Sequence, residues 1–326
     1  MTRIPIIIDT DPGIDDALAL VYALNAAQLE VVAVTTVHGN VDVERTTRNA
    51  LGLLEFARPA GGIPVARGAA EPLHGPAEGD AGFVHGIEGL GDAPVFTPRT
   101  APHALPAWQF ICERVAERPG EITLCAIGPL TNLARALAYS PAVAGQVAAV
   151  VIMGGALRVP GNITPHAEYN LWADPAAAAA VLAAPWPITL VGLDVTTQVI
   201  CPLEYFRNIA KAAPRVGGFV AQLAKFYIDF YRRHAGLSGC QLHDPSALIA
   251  LTHPELFTAE VLPVAVNTHG ELRGRIFQSA PQEAAGQGAH AQRNGNTIVL
   301  TDVDAARVKE VFMQTLSAAD QGRQDN

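Results

Sequence analysis

Four carboxylates crowd one short segment near the start of the chain. The segment DTDPGIDD, positions 9–16, carries Asp9, Asp11, Asp15 and Asp16 directly behind a run of isoleucines. Capping and helix-dipole effects favour one or two aspartates at the start of a helix. They do not account for four, because like charges about 4 Å apart repel by roughly 4 kcal/mol at the effective dielectric of a protein surface. A cation would relieve that repulsion, and all-oxygen carboxylate ligands favour Ca²⁺ or Mg²⁺ over zinc.

Two known kinds of aspartate-rich segment can be compared with this one. The calcium loop of an EF-hand needs a glutamate at its twelfth position, where counting from Asp9 gives Leu20, so that loop is excluded. The triplet Asp9-Thr10-Asp11 also resembles the strand-Asp-x-Asp segment of metal-dependent phosphatases of the haloacid dehalogenase type. Phosphate-ester hydrolysis is therefore the alternative chemistry for this segment.

The elements that must position these carboxylates alternate along the chain. Continuous apolar runs predict strands buried on both faces, at Ile4–Ile8, Val31–Val37, Ile122–Ile127, Val147–Met153 and Ile188–Leu193. Helical segments are predicted between them, at Asp15–Asn25, Val41–Ala57, Leu105–Arg118, Leu130–Tyr139 and Asp174–Ala184. This order predicts an α/β fold with a mostly parallel, Rossmann-like central sheet flanked by helices, whose ligands bind at the carboxyl ends of the strands.

The rest of the chain fits one domain with insertions. Two segments rich in Gly and Pro, Gly68–Pro102 and Gly154–Pro165, are expected to form loops over the carboxyl ends of the strands. A helical portion at Gly217–His253 precedes two late strands and a last helix, predicted at Glu260–Asn267, Thr297–Thr301 and Asp304–Leu316. We therefore predict one domain over residues 1–316 and a disordered polar tail over 317–326.

The opening segment also has a local prediction. If the first strand ends near Ile8 and a helix begins near Pro12, Asp11 occupies the N-cap and Pro12 the first helical position. Asp15 and Asp16 then lie in the first turns of that helix.

Composition limits the partners of the chain. The 326 residues carry a formal net charge of −9, with no block of Lys and Arg, which argues against nucleic-acid binding. The four cysteines are widely spaced, so reduced and buried thiols are expected rather than a zinc site or disulfides. No apolar stretch suits a signal peptide or a membrane span, so we expect a soluble cytoplasmic protein with a small-molecule partner.

Further segments reveal a family resemblance. The segment DTDPGIDD resembles the signature of the inosine-uridine nucleoside hydrolases, which cleave the N-glycosidic bond of ribonucleosides to ribose and a free base. Other segments match that family in its own order: HGN at 38–40, HGIEGLG at 85–91, IGPLTN at 127–132, MGG at 153–155, GNITPHAEYN at 161–170, ADP at 173–175 and HDP at 243–245. The resemblance covers nearly the whole chain, and the phosphatase alternative predicts none of these later segments.

The resemblance implies a calcium site. Asp11, Asp16 and Asp244 correspond to carboxylate ligands of a tightly bound Ca²⁺, joined by the backbone carbonyl of Ile127, a water and the ribose 2′- and 3′-hydroxyls. Asp11 would also be the general base that takes a proton from the metal-bound water.

It also implies residues for the sugar and the departing base. Residues expected to bind the ribose or to support its site are Asp15, Asn40, Met153, Asn162, Glu168 and Asn170. His243, beside the ligand Asp244, corresponds to an acid that protonates the departing base in some family members, and an unperturbed imidazole near pH 6.5 suits that task. His85, Tyr227 and Tyr231 are candidates for the base pocket.

Some features depart from the family pattern or stay open. The loop with Leu157–Pro160 is about one residue longer than usual, His166 replaces a small or apolar residue, Tyr169 replaces a Phe, and segment 270–274 is shortened. These changes put the purine or pyrimidine preference in doubt. The resemblance implies a homodimer or homotetramer. A non-catalytic nucleoside or ribose binder is the other alternative, which the presence of both Asp11 and His243 disfavours.

Overall fold

The fold is built on one eight-stranded sheet with two small sheets beside it. A computed structural model describes residues 3–57, 62–77, 81–279 and 297–320. The strands are β1 (Ile4–Thr10), β2 (Leu29–Thr36), β3 (Val65–Arg67), β4 (Thr123–Ala126), β5 (Ala149–Met153), β6 (Ile188–Val191), β7 (Ile200–Pro202), β8 (Gly239–Gln241), β9 (Phe257–Leu262), β10 (Val264–Val266), β11 (Ile276–Gln278) and β12 (Thr297–Val303).

The main sheet is parallel apart from one edge. Its strand order is β3-β2-β1-β4-β5-β6-β12-β9, and only β9 runs antiparallel, against β12. Strands β7 and β8 pair antiparallel in one small sheet, and β10 and β11 do so in the other. The predicted mostly parallel α/β fold is confirmed.

The helices cover both faces of the sheet. They are α1 (Ile14–Asn25), α2 (Val43–Ala57), α3 (Gly82–His85), α4 (Ala107–Glu117), α5 (Thr131–Tyr139), α6 (Tyr169–Ala173), α7 (Pro175–Ala183), α8 (Leu193–Thr196), α9 (Leu203–Ala212), α10 (Pro214–Ala235), α11 (His243–Thr252) and α12 (Ala305–Ser317). Short 3₁₀ helices lie at Pro141–Gly145 and Pro254–Leu256.

The apolar strand residues alternate between two cores. Ile6 and Ile8 of β1 pack into a core with α1, α2, α10, α11 and α12, whereas Ile7 points into the opposite core with α4, α5 and α7. All three isoleucines are buried. Burial on both faces is why these parallel strands appear in the sequence as continuous apolar runs rather than as alternating ones.

The sheet order also fixes where a ligand can bind. From β1 the chain adds β2 and β3 on one side, and it then returns to add β4, β5 and β6 on the other. The carboxyl ends of β1 and β4 therefore flank the point at which the strand order reverses, which is where open parallel sheets bind their ligands.

Several predicted boundaries need correction. The first helix begins at Ile14 with Gly13 as its N-cap, so placing Asp11 at the N-cap and Pro12 in the first turn was wrong. The segment Glu260–Asn267 is divided between two sheets, since Pro263 lacks an N–H for the ladder. The helical portion Gly217–His253 is interrupted by β8, and helix α9 was not predicted.

The C-terminal boundary of the domain stays a prediction. Within the predicted tail, Ser317 ends α12, Ala319 is buried, and Asp320 accepts a hydrogen bond from the backbone N–H of Arg215. Residues 321–326 lie outside the described residues.

Candidate functional site

The predicted site residues meet around one cavity of about 330 Å³ over the carboxyl ends of the strands. Asp11 directly follows β1, Ile127 directly follows β4, and Met153 ends β5. The predicted residues that line the cavity are Asp15, Asn40, His85, Ile127, Met153, Asn162, Glu168, Asn170, Tyr227, Tyr231, His243 and Asp244. Asp11 and Asp16, which are 1% and 0% exposed, lie buried beside them.

Asp16 is held by four hydrogen bonds. Its Oδ1 accepts from the Thr10 hydroxyl at 2.5 Å and the Asp11 N–H at 3.2 Å. Its Oδ2 accepts from the Gly13 N–H and from the Asn40 side-chain amide, each at 2.9 Å. Burial and the charge of Asp15 raise the pKa of Asp16 to about 6, although hydrogen bonds from Thr10 and Gly13 lower it. The four donors fix the orientation of this carboxylate before any ligand arrives.

Asp11 has one fixed and one unpartnered oxygen. Its Oδ2 accepts from the Asn40 backbone N–H at 2.7 Å, while its Oδ1 is buried without a hydrogen-bond partner. A Cβ on Gly39 would overlap Oδ2, and one on Gly128 would lie 2.5 Å from Oδ1. Burial, with the charge of Asp16 next, raises the pKa of Asp11 well above its usual range. The backbone therefore approaches this carboxylate so closely that only glycine fits on two sides.

Two more carboxylates, Asp15 and Asp244, complete the cluster. One oxygen each of Asp15, Asp16 and Asp244 lie within 4.8 Å of one another. Burial and the neighbouring aspartates raise the pKa of Asp244 well above normal, and burial raises that of Asp15 to about 6. Asp16 and Asp244 belong both to this group of close carboxylates and to the ligands that the resemblance implies. The third member is Asp15 in the group found by distance and Asp11 in the implied ligands.

The donor set fits a hard cation. The chemistry is all oxygen, the carboxylates are buried, and Asp11 Oδ1 is an unsatisfied acceptor among them. Within the described part of the chain, the basic side chain found beside this cluster is His85, whose Nδ1 lies 3.8 Å from Asp15 Oδ1. Burial lowers the pKa of His85 to about 4, so this imidazole brings no positive charge at neutral pH. Uncompensated buried carboxylates of this kind are stabilised by Ca²⁺ or Mg²⁺.

Two of the predicted sugar residues, Glu168 and Asn170, are held by hydrogen bonds to the backbone. Glu168 caps α6, accepting from the N–H groups of Asn170 at 2.8 Å, Gly155 at 2.9 Å and Leu171 at 3.2 Å. Burial raises its pKa to about 7 despite these donors. The Asn170 amide donates to the carbonyls of Ile127 at 3.0 Å and Met153 at 3.2 Å. Glu168 and Asn170 are therefore fixed by the backbone around them.

His243 lies in a line of hydroxyl groups. Its Nε2 is 2.8 Å from the Tyr231 hydroxyl, and its Nδ1 is 2.8 Å from the Thr196 hydroxyl. The Tyr231 hydroxyl is 3.4 Å from that of Tyr227, which donates to Asp15 Oδ2 at 3.3 Å. Burial lowers the pKa of His243 to about 4, below the value near 6.5 of an unperturbed imidazole.

His85 has a partner that links it to the first helix. Its Nδ1 accepts from the Ile14 N–H at 3.1 Å, and its ring lies 5.5 Å from that of Tyr227. The imidazole is 5% exposed, so it is not an exposed loop residue. It therefore lies at the cavity wall beside both the aspartates and the tyrosines.

Several residues of the site carried no signal in the sequence. Thr10 and Thr196 hydrogen bond to Asp16 and His243 from other elements, and such contacts leave no local pattern. Phe83 and Phe230 form an edge-on aromatic pair at the cavity wall, with ring centroids 5.9 Å apart. The spacing of Phe230 one turn after Phe226 could have suggested a helix face but not a cavity wall.

Two further observations concern the cysteines and the helices. All four cysteines are free and buried. None of the described helices combines the length and apolar character that a membrane crossing requires.

Comparison with known proteins places this site in a family. The sequence pattern of the inosine-uridine preferring nucleoside hydrolases matches residues 6–310. The non-specific ribonucleoside hydrolase RihC of Salmonella paratyphi C is 42% identical over 309 residues, covering 94% of this chain and 97% of the relative. Uridine nucleosidase 1 of Arabidopsis thaliana is 41% identical over 272 residues, covering 83% of this chain and 81% of the relative.

Solved structures of nucleoside hydrolases share the fold of this chain. The plant nucleoside hydrolase PpNRh1 superposes with a TM-score of 0.90 at 36% identity, covering 96% of this chain and 99% of that one. A purine-preferring ribonucleoside hydrolase from Gardnerella vaginalis gives 0.89 at 29% identity, covering 97% and 99%. The phosphatase alternative does not predict similarity of this extent to nucleoside hydrolases. The chain belongs to the inosine-uridine preferring nucleoside hydrolase family.

Proposed function

We propose that the protein is a Ca²⁺-dependent N-ribosyl hydrolase that cleaves ribonucleosides to ribose and a free nucleobase. The observation that carries the proposal is the convergence of Asp15, Asp16 and Asp244 within 4.8 Å at one end of the cavity. The residues proposed to hold the cation are Asp11, Asp16 and Asp244 with the carbonyl of Ile127. When bound, calcium would coordinate the 2′- and 3′-hydroxyl oxygens of the ribose and would lower the pKa of a coordinated water.

Asp11 is the proposed general base. The Asn40 N–H occupies its Oδ2, whereas its Oδ1 is buried and without a partner. We therefore assign Oδ1 as the atom that takes the proton from the water attacking C1′.

The sugar-binding wall stabilises the developing charge. Cleavage of the N-glycosidic bond passes through an oxocarbenium-like state with positive charge on the ribose. We propose that Asp15, Glu168 and Asn170 bind the ribose hydroxyls, with Asn162 at the exposed rim and Met153 beneath the ring. The backbone hydrogen bonds of Glu168 support this role, because they hold its carboxylate rigid while the charge develops.

The departing base is proposed to receive its proton through His243. The imidazole is bonded to the Tyr231 hydroxyl at Nε2 and to the Thr196 hydroxyl at Nδ1. Its protonated form would give the Nε2 proton to the Tyr231 hydroxyl as that hydroxyl gives its own proton to the base. This leaves a neutral imidazole, which takes a new proton from solvent after product release. Tyr231 and Tyr227 line the cavity and stand between His243 and Asp15. The presence of Asp11 and of this hydroxyl chain disfavours a non-catalytic binder.

The preference for one nucleobase over another depends on the side chains that surround the base in the cavity. The relatives named above act on uridine, on ribonucleosides without specificity, or preferentially on purine nucleosides, so membership of the family leaves the base open. In this chain the aromatic and imidazole side chains that line the cavity include His85, Phe83, Tyr227, Phe230 and Tyr231. We propose that these side chains contact the nucleobase.

The setting of the enzyme is also a proposal. We infer a role in nucleoside salvage in the cytoplasm, as a homodimer or homotetramer, from the family resemblance and the acidic composition. Light scattering on the purified protein tests the assembly, and a monomeric mass would contradict it.

Metal analysis tests the proposed chemistry. We expect the purified protein to hold stoichiometric calcium. Prolonged chelation should abolish ribose release from p-nitrophenyl riboside, and Ca²⁺ should restore it. p-Nitrophenyl phosphate serves as the control substrate, which should not be cleaved. Phosphate release that depends on Mg²⁺, with no cleavage of the riboside, would instead support the phosphatase alternative.

A further inference from the structure

The loop that carries the sugar residues is joined to the aspartate cluster by one side chain. The Tyr169 hydroxyl donates to the carbonyl of Gly39 at 2.8 Å, across the cavity that Tyr169 lines. The Tyr169 backbone N–H donates to Asn162 Oδ1 at 2.9 Å. Tyr169 thus connects the segment with Asn162, Glu168 and Asn170 to the segment that follows β2.

The bond reaches the aspartates through a single peptide unit. The carbonyl of Gly39 and the N–H of Asn40 belong to the same planar peptide group, in which they point in opposite directions. Tyr169 holds the carbonyl end of this group, and Asp11 Oδ2 accepts from the N–H end at 2.7 Å. The side chain of the same Asn40 donates to Asp16 Oδ2 at 2.9 Å. The peptide is therefore clamped between Tyr169 and the two carboxylates.

Two physical effects follow from the clamp. A donor on the carbonyl polarises the peptide and strengthens the hydrogen bond made by its N–H. The clamp also limits rotation of the peptide, which would turn the N–H away from Asp11. Gly39 itself also lies against Asp11, because a Cβ at position 39 would overlap Asp11 Oδ2.

We propose that Tyr169 is a positioning residue, whose hydroxyl fixes the Gly39–Asn40 peptide and through it the carboxylates of Asp11 and Asp16. Tyr169 then connects the loop that carries the sugar residues to the aspartate cluster, so that a shift of the loop changes the position of the carboxylates. A phenylalanine at this position fills the same space but cannot form the bond. The part of this inference that concerns turnover rests on the proposed hydrolase function, whereas the clamp itself does not.

The test uses a conservative pair of variants. Tyr169→Phe removes only the hydroxyl in question. Tyr205→Phe is the matched control, because the Tyr205 hydroxyl also donates to a backbone carbonyl, that of Lys309 at 2.6 Å, between α9 and α12. Both changes remove a tyrosine hydroxyl that donates to a backbone carbonyl, so Tyr205→Phe shows the effect of losing such a bond away from the cavity.

Three readouts are expected to separate the two variants. In cation-free protein labelled with ¹⁵N-asparagine, the backbone amide proton of Asn40 should shift upfield in Tyr169→Phe and stay in place in Tyr205→Phe. Calorimetric Ca²⁺ affinity without nucleoside should weaken roughly two- to tenfold in Tyr169→Phe alone, the range that one such hydrogen bond gives. In turnover, kcat should fall by about the same factor while KM changes less than about twofold.

Two results would overturn the inference. An unmoved Asn40 amide with wild-type calcium affinity would show that the clamp does not act on the cluster. A raised KM at unchanged kcat and calcium affinity would make Tyr169 a substrate contact instead. Either result would leave ribose release by the wild-type protein intact, so failure of the clamp is distinguishable from failure of the proposed function.

Discussion

The Tyr231 hydroxyl lies 2.8 Å from His243 Nε2, at the wall of the cavity, and both residues are buried. The Thr196 hydroxyl occupies the other nitrogen at the same distance. An imidazole bonded on both sides by hydroxyls keeps a fixed ring orientation, and burial keeps it neutral at pH 7. The fixed ring keeps Nε2 directed at the Tyr231 hydroxyl, through which a proton of the imidazolium would reach the departing base.

This relationship predicts how His243→Ala and Tyr231→Phe behave. Both should slow inosine far more than p-nitrophenyl riboside, whose leaving group departs without a proton. General acid catalysis contributes about 10²- to 10⁴-fold, so we expect at least about a 100-fold change in the ratio of the two kcat/KM values for His243→Ala. Equal losses on both substrates would remove the acid role.

Asp11→Asn should lose most turnover while the fold survives. The amide keeps the shape of the carboxylate and can still accept from the Asn40 N–H, but it cannot take a proton from water. We expect kcat to fall by about 10²- to 10⁴-fold. Circular dichroism and the melting temperature provide the control for folding. An active and well-folded variant would contradict the assignment of Asp11 as the base.

Asp244→Asn should release the cation. The substitution removes one charge from a cluster whose members raise each other's pKa, so calcium affinity should fall at least about 100-fold. The chelated variant should be no less stable than chelated wild type, since repulsion with the other aspartates is relieved. The control is Asp92→Asn, at an exposed position. Stoichiometric calcium retained after dialysis would contradict the ligand role.

His38 predicts a pH dependence of stability. It is 3% exposed, and burial lowers its pKa to about 4. Between pH 6.5 and 4 the unfolded chain binds a proton that the folded protein does not, so this residue destabilises the fold as pH falls. Thr131 donates to Asp174, so His38 Nε2 donates to Thr131, and glutamine could replace that donor.

The measurement compares wild type with His38→Gln. Urea unfolding at pH 7 and pH 5 should show wild type losing about 2 kcal/mol more than the variant over this interval. The variant carries the same carboxylates, so their contributions cancel in the difference. An equal loss of unfolding free energy in the two proteins would show that His38 is not buried in its neutral form.

The sheet and the cavity residues were predictable from the sequence for a physical reason. A strand buried on both faces must be apolar throughout, as Ile6, Ile7 and Ile8 are, and the polar residues that follow it must then lie at the sheet edge. The segments after β1, β2 and β4 meet there, so the order of motifs along the chain predicted a shared site.

Other features depend on distant contacts and could not be predicted. Capping rules placed Asp11 at the helix start, but its carboxylate instead bonds to Asn40, 29 positions away. The burial that lowers the pKa of His243 comes from α8 and α10, and Thr196 is 47 positions from it in the chain. Tyr169 could be recognised as a departure from the family pattern, but its bond to Gly39 spans 130 positions.

The most direct test measures ribose released from inosine, uridine, cytidine and adenosine by the purified protein, before and after chelation. A Ca²⁺-dependent nucleoside hydrolase should release ribose from at least one of these nucleosides, lose that activity on chelation, and recover it with Ca²⁺. Release that persists in the fully calcium-free protein, or no release from any of the four by the calcium-loaded protein, would contradict it.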